Sequence, residues 1–177
     1  MPKEDKKQRS EPEPELEFAD RMAQAFEGQV PRMAGRMLGL LLITEEPQLS
    51  SKDLVTRLGA SAATVSTMGR LLINLGLIER TVSPETRRDL FTIAPNAWVG
   101  VYRDGERYIS EILDLLDHAL ADPALTDTPR ARIREMYNLY AFLWAEIPDL
   151  VSRYEQWRAE NGPEALFRRP GGDSARR

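Results

Sequence analysis

The 177 residues include no cysteine and a single histidine, His118. Thiolate nucleophiles, disulfides and thiolate zinc sites are therefore excluded. His118 lies in a helical pattern beside Asp117 and Asp122, far from any serine elbow. That placement argues against Ser-His-Asp chemistry and against a metal site. No glycine-rich phosphate loop is present, so no enzyme and no cofactor are expected. Basic and hydroxylic side chains remain, and the balance of charge differs along the chain. Residues 51–95 carry 6 Lys plus Arg against 4 Asp plus Glu, although the whole chain carries 24 against 28 and is net −4. Charges beyond about 8 Å are heavily screened at physiological salt, so a local basic surface can still meet phosphate on an acidic molecule. Within this segment Ser61, Ala63, Thr64, Thr67 and Arg70 stand at helical spacing, and Arg87 and Arg88 are adjacent. Small residues let a helix approach base edges; threonine offers a hydroxyl or a methyl for thymine, and arginine suits phosphate or a bidentate guanine contact. Ser61 has a competing role as a helix cap. Lys52 and Arg57 are further candidates for the DNA backbone.

The elements that must position these residues follow from periodicity and caps. Pro14 opens a helix with Leu16, Ala19, Met22, Ala23 and Phe26 on one face, ended by Gly28. A second helix runs from near Pro31 to Leu42 or Ile43, and Gly35 and Gly39 on one side let another backbone approach closely. Ser50 or Ser51 caps a short helix with Leu54, Val55 and Leu58 inward, and Gly59 ends it. Ser61 caps a longer helix reaching about Leu75, with Val65, Met68, Leu71, Leu72 and Leu75 as its buried stripe and Gly76 as its stop. Leu77–Val82 and Leu90–Ile93 read as strands joined by the polar turn Ser83–Thr86, with Arg87 and Arg88 near the tip. A short helix, a glycine turn, a longer helix with a small polar face and a hairpin make a winged helix-turn-helix. Beyond Pro95 two long helical stripes follow, one from Trp98 to Leu120 and one from Ile133 to Ile147. Pro148 is expected to interrupt before a last short helix with Leu150, Tyr154 and Trp157.

The stretch Asp53–Pro95 resembles the winged helix-turn-helix core of MarR-type transcriptional regulators, closest to the GbsR-like branch. The likeness rests on LxxxLGxSxxTVSxxxxxLxxxGLIER in loose form, on the wing turn SPETRR, and on RRDLF followed by Trp98. It covers 43 residues, about a quarter of the chain, and Thr86 stands where relatives commonly place an aspartate before the arginine pair. The resemblance implies a homodimer on an imperfect palindrome of double-stranded DNA, repressing a nearby operon. It also implies a small-molecule effector between the dimer helices and the winged domain, the GbsR branch being associated with choline sensing.

The expected fold is mainly α with a small β-hairpin wing, flanked by N- and C-terminal dimerisation helices. Its divisions are a disordered tail over 1–14, the DNA-binding domain over 15–96, a helical dimerisation region over 97–160 and a flexible tail over 161–177. Two copies presenting helices about 34–36 Å apart double the contacts and supply two-fold specificity, and the long C-terminal apolar stripes need a partner to cover them. The rings of Trp98, Tyr102, Tyr137, Tyr140 and Trp144 are the candidate ligand residues, since a desolvated ring attracts an organic cation by roughly 1–2 kcal/mol. Asp104, Glu106 and Glu111 are acids that could neutralise it; helical core or dimer interface is the competing role for the rings. The longest apolar run, Met37–Ile43, is far too short to span a membrane, and no secretory h-region follows the charged N-terminus. The expected compartment is the cytoplasm. The alternative to a DNA-binding regulator is a winged-helix protein-interaction module that does not touch DNA.

Overall fold

The computed structural model describes residues 14–167. Of the tail expected over 1–14, residues 1–13 lie outside the described residues, as does the segment 168–177. The chain forms two compact units that divide between Val101 and Tyr102.

In the first unit α1 (Pro14–Ala25) and α2 (Arg32–Ile43) pack as a hairpin. Their contact depends on the glycines: a Cβ on Gly35 would stand 2.7 Å from Ala23 Cα, and one on Gly39 would stand 2.8 Å from Ala19 Cα. The close backbone approach expected at this pair is therefore made by α1, whose own facing residues are alanines. β1 (Leu49–Ser50), α3 (Ser51–Leu58), α4 (Ala62–Asn74), β2 (Ile78–Val82) and β3 (Asp89–Ile93) complete the winged helix-turn-helix. The sheet order is β1-β3-β2, antiparallel throughout, with Ile78 opposite Ile93, Arg80 opposite Phe91 and Leu49 also opposite Phe91. Phe91, on the central strand, is buried and joins Met37, Leu38, Leu54, Leu72 and Ile78 in one core. Burying side chains of this size contributes about 1.5–3 kcal/mol each, and that term holds the short elements together.

One expectation about this unit is corrected. The inward row of α4 is Val65, Gly69 and Leu72, whereas Met68 and Leu71 are half-buried and Leu75 is 40% exposed. Phe91 fills the space over Gly69, so the glycine side of the helix is the one that faces the core. The two-residue β1 was not anticipated, because a pair of residues is too short to show a period.

The second unit holds most of α5 (Ala97–Ala121) and α6 (Asp127–Asn161). Arg130 fastens their connection: its guanidinium donates to the carbonyls of Leu120 at 2.6 Å, Asp122 at 2.8 Å and Leu125 at 3.1 Å. Arg103 pairs with Glu155, and Tyr137 Oη donates to Asp117 Oδ2 at 3.5 Å, so the helices run antiparallel side by side. Ile109 and Leu116 of α5 and Val151 of α6 are buried. The expected break at Pro148 does not occur, and α6 runs through it. A proline inside a helix removes one amide donor; here both Pro148 and Trp144, four residues back, are exposed, so water can reach the freed carbonyl. Past the helix, the Phe167 ring packs edge-on against Trp157 with centroids 5.1 Å apart.

Candidate nucleic-acid interface

The helix-turn-helix is built by its caps. Ser50 ends β1 in extended backbone and begins α3: the Asp53 amide donates to Ser50 Oγ at 3.2 Å, and the Ser50 amide donates to Asp53 Oδ2 at 3.0 Å. Ser50 Oγ also donates to Asp53 Oδ2 at 2.5 Å. This reciprocal capping box satisfies donors that the first turn of a helix leaves free. The Ser50 hydroxyl holds the Asp53 carboxyl below its ordinary range, and the charges of Lys52 and Arg88 act in the same direction. Gly59 ends α3 with φ +62°, the left-handed conformation that frees the chain to turn, and Ser61 starts α4 two residues later.

Along α4 the outward row is Ala63, Ser66, Thr67, Arg70 and Asn74, all exposed. Ala63, Thr67 and Arg70 of the expected set therefore share one open face. Ser66 and Asn74 belong to it at the same period and were absent from the expected site, although their spacing is visible in the sequence. Ser61 is a helix cap: its Oγ accepts from the Thr64 amide at 3.1 Å and lies 2.8 Å from Thr64 Oγ1. The Thr64 hydroxyl is thus engaged locally and half-buried, which leaves its methyl as the group free for an apolar contact.

The wing tip is closed by its own backbone. The Ser83 amide donates to Arg88 O at 2.9 Å, the Arg87 amide donates to Ser83 O at 2.9 Å, and the Thr86 amide donates to Ser83 Oγ at 3.2 Å. Closing the turn this way puts Arg87 at φ +54°, a left-handed conformation uncommon for a residue with a side chain. Arg87 and Arg88 are both exposed, while Arg80 reaches across the hairpin to Asp89 Oδ2 at 3.5 Å. Lys52 is exposed in the first turn of α3. Arg57 is placed differently: its guanidinium bonds Glu15, Thr44 Oγ1 at 3.3 Å and Glu46 Oε1 at 3.1 Å.

The candidate ligand residues divide between the units, Trp98 in the first and Tyr102, Tyr137, Tyr140 and Trp144 in the second. Trp98, Tyr102 and Trp144 are about half-exposed, at 45, 52 and 51%. His118 is exposed, and among the described residues no three His, Cys, Asp or Glu side chains cluster as metal ligands. No described helix is long and apolar enough to cross a membrane.

The sequence model of the MarR family matches residues 29–89, and that of the MmpR5-like MarR family transcriptional regulators matches residues 96–158. The HTH-type transcriptional regulator MmpR5 of Mycobacterium tuberculosis is 38% identical over 150 residues, covering 82% of this chain and 90% of its own. The chain belongs to the MarR family. A crystal structure of a transcriptional regulator superposes with a TM-score of 0.70 at 37% identity, covering 80% of this chain and 97% of its own. The Staphylococcus aureus MepR–DNA complex is a more distant likeness, with a TM-score of 0.38 at 23% identity over 73% of this chain and 88% of its own. As a MarR-family protein the chain is a DNA-binding transcriptional regulator and not an enzyme, which decides against the protein-interaction module. The GbsR-like branch expected from the motif region is not among these matches; the branch matched over 96–158 is the MmpR5-like one.

Proposed function

We propose that this MarR-family protein is a homodimeric repressor that places α4 of each copy in a major groove of an imperfect palindrome, with the wing on the flanking backbone. The observation that carries the reading is the open row Ala63, Ser66, Thr67 and Arg70 on α4, beside a wing that exposes Arg87 and Arg88. Small side chains along the row allow the helix axis to approach the bases, Arg70 at its far end reaches guanine or phosphate, and the wing arginines neutralise phosphate. Lys52, exposed at the start of α3, adds a backbone contact. Repression needs only occupancy of the site by the dimer. A small-molecule effector is part of the proposal, with the half-exposed rings Tyr102 and Trp144 and the partly covered Tyr137 and Tyr140 as the aromatic surface of the second unit.

Selection of bound duplexes from a random-sequence library tests this, followed by anisotropy on the enriched duplex over a range of salt. The expected result is a two-fold symmetric site whose binding weakens as salt rises. Arg87→Ala with Arg88→Ala should weaken that binding and leave the dimer intact. Unchanged affinity would remove the wing from the interface, and the absence of any symmetric site would remove the palindrome.

A further inference from the structure

Arg57 lies one residue before the end of α3, on the element that leads directly into the turn aiming α4. Its side chain is only 22% exposed, and its guanidinium is shared among Glu15 of α1, Glu46 of the loop before β1, and Thr44 at the end of α2. Two carboxylates therefore face one cation. A second arginine repeats the connection from the other side. Arg36 of α2 donates to the carbonyl of Leu58, the last residue of α3, at 3.0 Å. Its Nε lies 2.8 Å from Asp20 Oδ1 of α1, as an ion pair without hydrogen-bond alignment. The loop that supplies Glu46 is itself tied to the sheet: Gln48 Nε2 donates to Thr81 Oγ1 at 3.3 Å, and Thr92 Oγ1 donates to Pro47 O at 3.0 Å.

We infer that Arg57 is a positioning residue: with Glu15 and Glu46 it clamps the last turn of α3 to α1 and to the wing side of the sheet, fixing the angle of α4, and it does not itself contact DNA. The inference rests on the DNA-binding reading above and deepens it by separating the arginines that touch phosphate from those that aim the helix. The physical reason is local charge. A phosphate arriving at Arg57 would meet Glu15 and Glu46 as well, and the guanidinium would have to leave a partly buried site with fixed partners. Arg87 and Arg88 are instead exposed at the tip of a hairpin, and neither is held in an ion pair with side-chain contact as Arg57 is. The clamp also gives α1 a direct mechanical connection to α3, since Glu15 and Asp20, five residues apart on α1, each hold an arginine at the last turn of α3.

The two roles predict opposite signs for one substitution. If Arg57 touched phosphate, Glu15→Gln would release it and strengthen binding. If Arg57 is a clamp, Glu15→Gln weakens binding. The experiment measures affinity for the duplex enriched by the wild-type chain and for a scrambled duplex, at several salt concentrations, at a temperature where circular dichroism shows each variant fully folded. Arg57→Ala and Glu15→Gln should each weaken the enriched duplex about three- to tenfold, with the double variant no worse than the poorer single. They should leave scrambled-duplex binding and the slope of log affinity against log salt unchanged. A loss of folded protein would lower both duplexes together, so the specificity ratio separates aiming from stability. Stronger binding by Glu15→Gln, or a slope reduced by about one per chain in Arg57→Ala, would overturn the clamp. Should the wild-type chain enrich no duplex, the DNA reading itself fails. Amide exchange over residues 58–64 then still decides the clamp: the same two variants should speed it non-additively, and unchanged exchange would refute it.

Discussion

Gly69 of α4 and Phe91 of β3 meet so closely that a Cβ on Gly69 would stand 3.1 Å from Phe91 Cε1. A glycine in mid-helix costs about 1 kcal/mol relative to alanine, so its place here reflects space and not propensity. The ring is buried and backed by the core, with Met37 Cε 3.6 Å from the same point, and has little room to retreat. The pair therefore sets how closely α4 lies on the central strand of the wing sheet. Gly69→Val should overpack this contact and lower unfolding stability by about 1–3 kcal/mol, read from urea denaturation. Duplex affinity should fall as well at a temperature where the variant remains folded. A variant as stable as wild type would show that the strand moves freely against α4.

Gly35 and Gly39 make the parallel argument for α1. A methyl at either position would run into the backbone Cα of Ala23 or Ala19, which cannot swing aside as a side-chain end can. Gly35→Ala and Gly39→Ala should each destabilise by about 1–3 kcal/mol despite the better helix propensity of alanine. The measurement is again the urea midpoint, and a stabilised variant would mean that α1 lifts off without loss.

Much of this architecture is legible in the sequence. Gly28, Gly59 and Gly76 punctuated the chain where the backbone turns left-handed, and Ser61 announced α4 because few residues other than a cap suit that position. The glycine pair on α2 announced a close partner without naming it. Three things could not be read. Gly69 is missing from the expected buried row of α4 because the sequence does not reveal that Phe91, 22 positions later, fills the space above it. Pro148 looked like a stop because its exposure, which makes the lost hydrogen bond cheap, is a tertiary property. Arg57 looked like its neighbours Lys52 and Arg70, since one charge in a row gives no sign that Glu15, 42 residues earlier, will hold it.

The capping box should appear in the acid limb of stability. Hydrogen bonds from Ser50 lower the Asp53 pKa in the folded chain relative to the unfolded one. A depressed carboxylate contributes stability that is present above its unfolded pKa and is lost as pH falls through the folded one. Asp53→Asn should therefore cost about 1 kcal/mol near neutral pH, the usual worth of an N-terminal cap. Its stability should also fall less steeply than that of wild type through the acid range. Equal slopes in urea titrations at several acidic pH values would show that the box does not titrate with folding.

Arg87 sits at φ +54°, where a side chain is strained and glycine is not. Arg87→Gly should then raise unfolding stability by a few tenths to about 1 kcal/mol while weakening duplex binding and reducing the salt slope by about one per chain. Opposite changes in the two quantities are the expected signature of a residue kept for contact at the expense of backbone comfort. A variant that binds as tightly as wild type would indicate that Arg88 alone reaches the phosphate.

The proposed dimer has its own surface to answer for. Met136, Leu139, Leu143 and Leu150 recur along one face of α6 at steps of three, four and seven, and they stand 41, 57, 37 and 48% exposed in the single chain. A stripe of that spacing on a helix is normally covered, and a second copy of the same chain covers it without a further partner. Each leucine so buried contributes about 1.5–3 kcal/mol, and a two-fold interface counts every substitution twice. Leu139→Arg combined with Leu143→Arg should therefore raise the dimer dissociation constant by at least about a hundredfold. Sedimentation should show monomers at concentrations where wild type is dimeric, with the melting of the first unit unchanged. Binding to a two-fold duplex should collapse to that of a single half-site. A double variant that stays dimeric would move the interface away from this face of α6. A monomer that binds the whole site as well as wild type would mean that the palindrome is not what holds the protein on DNA.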